Sequence, residues 1–173
     1  MSSQACHWLA GLEAGVWAGL AMLGWFALTA AWAHHSVWVV PNRLGALWYH
    51  EAGWRGGWHA ATWPGLAFHL LVSGVVGILF GCLVREARNR VRVSLWGLLS
   101  GLVWCYLSYA LFWRRLLGAL AGGPPPSLLA AYLVFGLALG CYPGRLRSAQ
   151  RHFLGERPPP AGTEASSEGP PAA

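Results

Sequence analysis

Four long, almost uncharged stretches separated by clusters of arginine constrain this chain more than any other feature. They run over about residues 12–33, 62–84, 93–113 and 127–142. A helix needs ~18–20 consecutive apolar residues to cross a hydrocarbon core of ~30 Å; three of the stretches meet that length and the fourth falls just short. Backbone immersed in hydrocarbon must satisfy its own N–H and C=O groups, which an α-helix does within one segment. The sequence therefore predicts an all-α membrane protein, with four transmembrane helices in an antiparallel bundle and a short interfacial helix in the first outer loop. With 55% of its 173 residues hydrophobic and 10% charged, the composition is poor for a soluble domain and ordinary for helices in lipid. One membrane domain, residues 1–150, accounts for nearly all of the chain, and residues 151–173, rich in Pro, Gly, Ser, Ala and Glu, read as a disordered tail. Ala31-Trp32-Ala33 has the form of a signal-peptidase site, but the start lacks a basic leader and the apolar run is too long for one, so the first stretch reads as a span.

Charge sets the expected orientation. All twelve basic residues are arginine, and lysine and aspartate are absent. Heavy use of Ala, Gly, Pro, Arg and Trp fits a GC-rich bacterial genome. An even number of spans puts the N-terminus, the middle loop and the tail on one side. That side holds Arg85, Arg88, Arg90, Arg92, Arg145, Arg147, Arg151 and Arg157, against Arg43, Arg55, Arg114 and Arg115 on the other. The positive-inside rule then predicts a bacterial inner-membrane protein with both termini cytoplasmic and the loop over 34–62 facing outward. The net charge of +6 is no nucleic-acid footprint: the arginines sit at helix ends, where anionic headgroups attract them, and no base-stacking aromatics alternate with them. The lipid bilayer is the expected partner, and nucleic acid is not.

Every span carries a stripe of small residues at four-residue spacing: Gly11, Gly15 and Gly19; Gly65, His69, Ser73, Gly77 and Gly81; Gly97, Gly101 and Cys105; Gly136 and Gly140. Such stripes let backbones approach closely where lipid supplies no hydrophobic drive. Packing within the chain is the plainer expectation; a homo-oligomer or a larger membrane complex built on one stripe is the alternative. A faint repeat matches Gly77, Gly81 and Cys82 with Gly136, Gly140 and Cys141, and Gly15 and Gly19 with Gly97 and Gly101, as two parallel helical hairpins would.

The outer loop gathers tryptophans. Trp32, Trp38, Trp48, Trp54, Trp58, Trp63 and Trp113, seven of the twelve, fall at or near the outer interface, where indole rings settle at headgroup depth. Pro41 can open a helix through His50 with Leu44, Leu47 and Trp48 on its apolar face, lying on the membrane or dipping back against the bundle, and Gly53, Gly56 and Gly57 give a flexible return. Gly122 to Pro126 break the third loop, and Pro143-Gly144 end the last span.

His69 is the one histidine expected inside a span, and an intramembrane ionisable group is costly enough to raise a functional question. Thr29, Tyr106, Ser108, Tyr109 and Tyr132 stand at similar depth as hydrogen-bond partners. The plain expectation is a neutral His69 tying two helices together. A sharper one adds His34, His35, His50, Glu51 and His59 on the same side as ligands for zinc, copper or a haem iron, although no ligand spacing in the chain is diagnostic. A third lines a small permeation path with His69, Ser73, Ser108 and Tyr132. Glu13 is expected to pair with Arg85 or Arg88 or to face headgroups. Cys6, Cys82, Cys105 and Cys141 lie outside the outer loops and read as small buried hydrophobes rather than a disulfide framework. No nucleophile elbow, phosphate loop or carboxylate pair is present, so no enzyme is expected and no resident cofactor beyond the metal or haem just named.

The pattern Ala14-Gly15, Pro41, His69 to Gly81, Gly97 to Gly101 and Leu129 to Gly140 resembles a group of small bacterial four-span membrane proteins with a His-started glycine stripe in the second helix. That resemblance implies the four-span fold and brings no activity with it. The group's final-helix pattern, Leu-x-x-His-Leu-x-x-Gly, would place a histidine where this chain has Tyr132. The expected role is thus a non-enzymatic packing or accessory protein.

Overall fold

The computed structural model describes residues 3–84, 89–113 and 126–154, and the described residues contain helices and no strand. In chain order they form α1 (Ser3–Trp32), α2 (Val39–Tyr49) running into a 3-10 turn (His50–Trp54), α3 (Thr62–Leu83), α4 (Arg90–Ser108) opening into a π turn (Tyr109–Trp113), α5 (Pro126–Leu139) and α6 (Tyr142–Leu154). Four helical stretches are long and apolar enough to cross a membrane: Gln4–Trp32, Thr62–Leu83, Arg90–Phe112 and Pro126–Arg151. The chain is a multi-pass membrane protein.

The ends differ from the sequence expectation for local reasons. α1 begins nine residues before the expected start, and at 1.5 Å per residue its 30 residues reach ~45 Å, well past the hydrocarbon core. It closes on a left-handed residue: His34 has φ 55°, its N–H bonds Ala31 O at 3.1 Å, and the His35 N–H bonds Ala30 O at 2.8 Å. This pair of bonds satisfies carbonyls that the last turn would otherwise leave bare. α4 starts at Arg90 because Asn89 caps it, its side chain accepting from the Val91 N–H at 2.9 Å. α5 stops at Leu139, where Gly140 and Cys141 turn back through tight bonds to Leu137 O and Ala138 O. Pro143 then opens α6 instead of ending the helical region, since proline fits a first helical turn. Of the expected tail, residues 155–173 lie outside the described residues, as do Arg85, Arg88, Arg114, Arg115 and Gly122 to Pro125.

α1 is the centre of the molecule and packs on α3, α5 and α6. Its two neighbouring stripes explain how. Gly11, Gly15 and Gly19 meet α3: a Cβ at Gly15 would overlap the Ser73 carbonyl oxygen, and one at Gly11 would stand 2.7 Å from Gly77 O. Beside them Ala10, Ala14 and Ala18 are buried in one cluster with Ala131, Phe135 and Leu139 of α5. The sequence reading caught the glycines and missed the alanines, which a helix needs only when it is covered on both sides. α4 and α5 pair by the same device, for a Cβ at Gly97 would overlap Gly136 O and one at Gly101 would overlap Tyr132 O. Backbone contact of this kind holds helices where dispersion and close fit replace hydrophobic drive.

The two glycine crossings correspond. Gly11 and Gly15 meet Gly77 and Ser73 as Gly97 and Gly101 meet Gly136 and Tyr132. The internal repeat thus equates Gly11 and Gly15 with Gly97 and Gly101, one turn away from the alignment that the glycines alone suggested.

α2 lies back on the start of α3. Glycine again permits this: a Cβ at Gly45 would overlap Ala61 O, and one at Gly65 would overlap Pro41 O. Its buried face is Pro41, Asn42, Leu44, Gly45 and Ala46; of the expected apolar face Leu44 is buried there, while Leu47 and Trp48 are exposed.

Candidate functional site

Polar groups inside the spans meet around one small cavity of about 30 Å³, lined by His69 and Ser73 of α3, Ser108 of α4 and Tyr132 of α5, with Met22, Phe68, Trp104 and Phe112 as apolar wall. The intramembrane polar set expected from the sequence is thereby brought together. α2 contributes Leu44 to the lining, and the Phe68 ring packs edge-on to Phe112 at 5.5 Å and to Trp48 at 5.3 Å. Ser108 and Phe112, four residues apart at the start of the π turn, line the same wall, as an i, i+4 pair does. A volume of this size holds one or two water molecules and no larger solute.

The hydrogen bonds differ from those expected. His69 Nε2 lies 3.1 Å from Gly19 O, so a carbonyl that can only accept fixes the proton on Nε2, and none of the neighbouring hydroxyls bonds this nitrogen. Gly19 is small because it must be: a Cβ there would stand 2.7 Å from Ser73 Oγ and 3.5 Å from His69 Nε2. The Ser108 and Tyr132 hydroxyls are 2.5 Å apart, and Ser108 Oγ is 3.0 Å from Cys105 O. Tyr132 therefore partners Ser108, where the sequence suggested His69. Thr29 turns back to Trp25 O and Phe26 O, and Tyr106 is exposed.

The histidines of the loop between α1 and α3 do not join His69 as a ligand set. Among the described residues no three His, Cys, Asp or Glu side chains come together as a metal site. Each has a local reason. His34 and His35 close α1, and His50, with φ 44°, ends α2. His59 spends both ring nitrogens on backbone, Nε2 at 3.3 Å from Arg55 O and Nδ1 accepting from the Ala61 N–H at 3.2 Å. Glu51 is exposed in the 3-10 turn.

What organises this loop is Asn42, which sequence reasoning passed over. It is fully buried and its Nδ2 donates to Arg55 O at 3.0 Å and Gly57 O at 2.8 Å, while Oδ1 accepts from the Thr62 hydroxyl at 2.6 Å. Thr62 Oγ1 accepts in turn from the His59 N–H at 3.1 Å. A lone asparagine in an apolar helical turn was the available signal, since a buried amide must find partners. The tryptophans pack edge-on over the same loop, Trp38 against Trp58 at 4.5 Å and Trp58 against Trp63 at 5.0 Å, and the Arg43 guanidinium lies 4.7 Å from the Trp54 ring.

At the opposite end α6 is tied to α1 and α3. The Tyr142 hydroxyl is 2.8 Å from His7 Nδ1 and 3.4 Å from Gly81 O. Glu13 pairs with Arg145 at 2.5 Å, and that guanidinium sits 5.1 Å from the Trp17 ring. The expected partners Arg85 and Arg88 lie outside the described residues, and α6 supplies the cation instead. Cys6 and Cys105 are buried as expected, whereas Cys82 and Cys141 are exposed on the protein surface. No known protein family, no curated protein and no solved structure matches this chain.

Proposed function

We propose that this is a non-enzymatic packing or accessory protein of the bacterial inner membrane, an antiparallel four-helix bundle with α2 at the outer interface and both termini in the cytoplasm. The observation that carries the reading is how few polar groups its interior leaves open. His69 bonds Gly19 O and Ser108 bonds Tyr132, and among the described residues Trp25 Nε1 is the one buried side-chain nitrogen or oxygen left without a partner. The glycine stripes are spent on contacts inside the chain. A protein whose interior groups are so engaged works through its outward surface, as a homo-oligomer or as a small subunit of a larger membrane complex.

The cavity at His69 favours a second reading, a narrow proton or water path through Ser73, Ser108 and Tyr132. One experiment separates these readings. The full chain and a His69→Ala variant are purified gently, analysed for iron, copper and zinc, sized by native mass spectrometry, and reconstituted into vesicles for proton flux. Metal-free protein that retains a defined assembly in both forms, with no flux above empty vesicles, is the accessory result. Stoichiometric metal lost in His69→Ala would overturn it in favour of a metal or haem protein, and flux lost in His69→Ala would establish the path.

A further inference from the structure

The two glycine-paired hairpins, α1 with α3 and α4 with α5, meet through α1 and α5. On the other side α3 and α4 stand apart, leaving an open apolar groove of about 400 Å³. Its α3 wall is Val76, Leu79, Phe80 and Leu83, and its α4 wall includes Trp96, Leu99, Val103 and Leu107, at helical spacing along one face of each helix. Two features say what fits there. The walls are bulky and branched, whereas close helix–helix contact in a membrane uses small residues, and this chain spends its glycines elsewhere. Walls made mostly of large side chains hold a further helix at a distance, so the groove suits a slimmer object such as a hydrocarbon chain.

The second feature is charge. Arg92 precedes Trp96 by four residues and so continues the α4 wall by one turn beyond the apolar part. Arg90 stands at the first turn of the same helix, and both arginines are exposed. Among the described residues neither has an acidic partner. An apolar slot continued by an exposed guanidinium near the end of the helix is complementary to a molecule with an acyl chain and a phosphate.

We infer that the groove between α3 and α4 seats one acyl chain of an anionic glycerophospholipid, with its phosphate held at Arg92. This holds whether or not the accessory reading does. The test is native mass spectrometry of the full chain in detergent, titrated with phosphatidylglycerol and, separately, phosphatidylcholine, for the parent, Arg92→Gln and Val103→Trp. Val103 is 59% exposed, so an indole there fills the groove without entering the core. The parent should prefer phosphatidylglycerol, Arg92→Gln should lose about fivefold of that preference, as one surface arginine is worth, and Val103→Trp should lose binding of both lipids. Unchanged circular dichroism and melting temperature establish that the variants fold. Equal binding of both lipids in all three proteins would mean annular lipid only and would overturn the inference. Loss in Arg92→Gln with none in Val103→Trp would place the lipid on the surface and overturn the groove. A disulfide-linked dimer formed by Val103→Cys and not by the parent, whose Cys82 and Cys141 are already exposed, would replace the lipid with a second copy.

Discussion

The Thr62 hydroxyl donates to Asn42 Oδ1 at 2.6 Å, and this fixes the rotamer in which Asn42 Nδ2 faces the carbonyl oxygens of Arg55 and Gly57. Three segments of the first loop are thereby held by one amide that has no contact with solvent. The requirement is chemical as well as steric: two acceptors need two donor hydrogens. Asn42→Asp keeps the size but removes both donors and sets a carboxylate against two carbonyls. It is expected to be at least as damaging as Asn42→Ala, each costing about 1–3 kcal/mol from carbonyls left without partners. Hydrogen exchange over residues 55–62 checks this, and an aspartate variant as protected as the parent would refute it.

The glycine stripes make a sharper steric prediction. At Gly15 a Cβ would collide with the α3 backbone, which cannot swing aside as a side chain does, while at Gly24, in the same helix, a Cβ meets nothing within 4 Å. Gly15→Ala should therefore lower the melting temperature in detergent, at a cost of about 1–3 kcal/mol typical of overpacking. Gly24→Ala should raise it slightly, by up to ~1 kcal/mol of helix propensity. Equal effects at the two positions would mean that the stripe has no packing role.

These two cases mark what could be read from the sequence. Span number, the small stripes and the membership of His69, Ser73, Ser108 and Tyr132 in one polar set were legible because they rest on composition and on a period of 3.6 residues. Which hydroxyl meets which partner was not legible. It depends on helix rotation, and a rotation that puts His69 on Gly19 O leaves Tyr132 to Ser108. The histidines of the first loop are not gathered into a three-ligand group, and the reason is a different one. Their proximity along the chain was real, but backbone geometry at His34, His50 and His59 outweighs side-chain chemistry there. α6 was missed because Pro143 and Gly144 signal a stop only when no helix begins at them.

Tyr142 offers a third test, at the junction of α1, α3 and α6. Its hydroxyl reaches His7 Nδ1 and Gly81 O, and its ring lies edge-on to Phe80 at 6.1 Å. Tyr142→Phe keeps the ring and removes the hydroxyl, for an expected loss of ~1 kcal/mol. Tyr142→Ala also empties a buried site and should cost about 3–5 kcal/mol. Thermal unfolding of both variants separates the hydroxyl from the ring. If Tyr142→Phe were as unstable as Tyr142→Ala, the hydrogen bonds and not the packing would hold α6 in place.

His34 allows the structural and metal readings of the loop between α1 and α3 to be set against each other in one substitution. Its φ of 55° costs a residue with a Cβ ~1 kcal/mol or more, and glycine relieves that strain at the end of α1. Part of the gain is returned as the extra backbone entropy that glycine loses on folding. His34→Gly should then be neutral or up to ~1 kcal/mol more stable, with unchanged metal content. A ligand removed would do the opposite, lowering both the melting temperature and the bound metal. Melting curves recorded with and without a chelator decide between them: a chelator that destabilises the parent but not His34→Gly would restore His34 as a ligand, and parallel curves would leave it as the cap of α1.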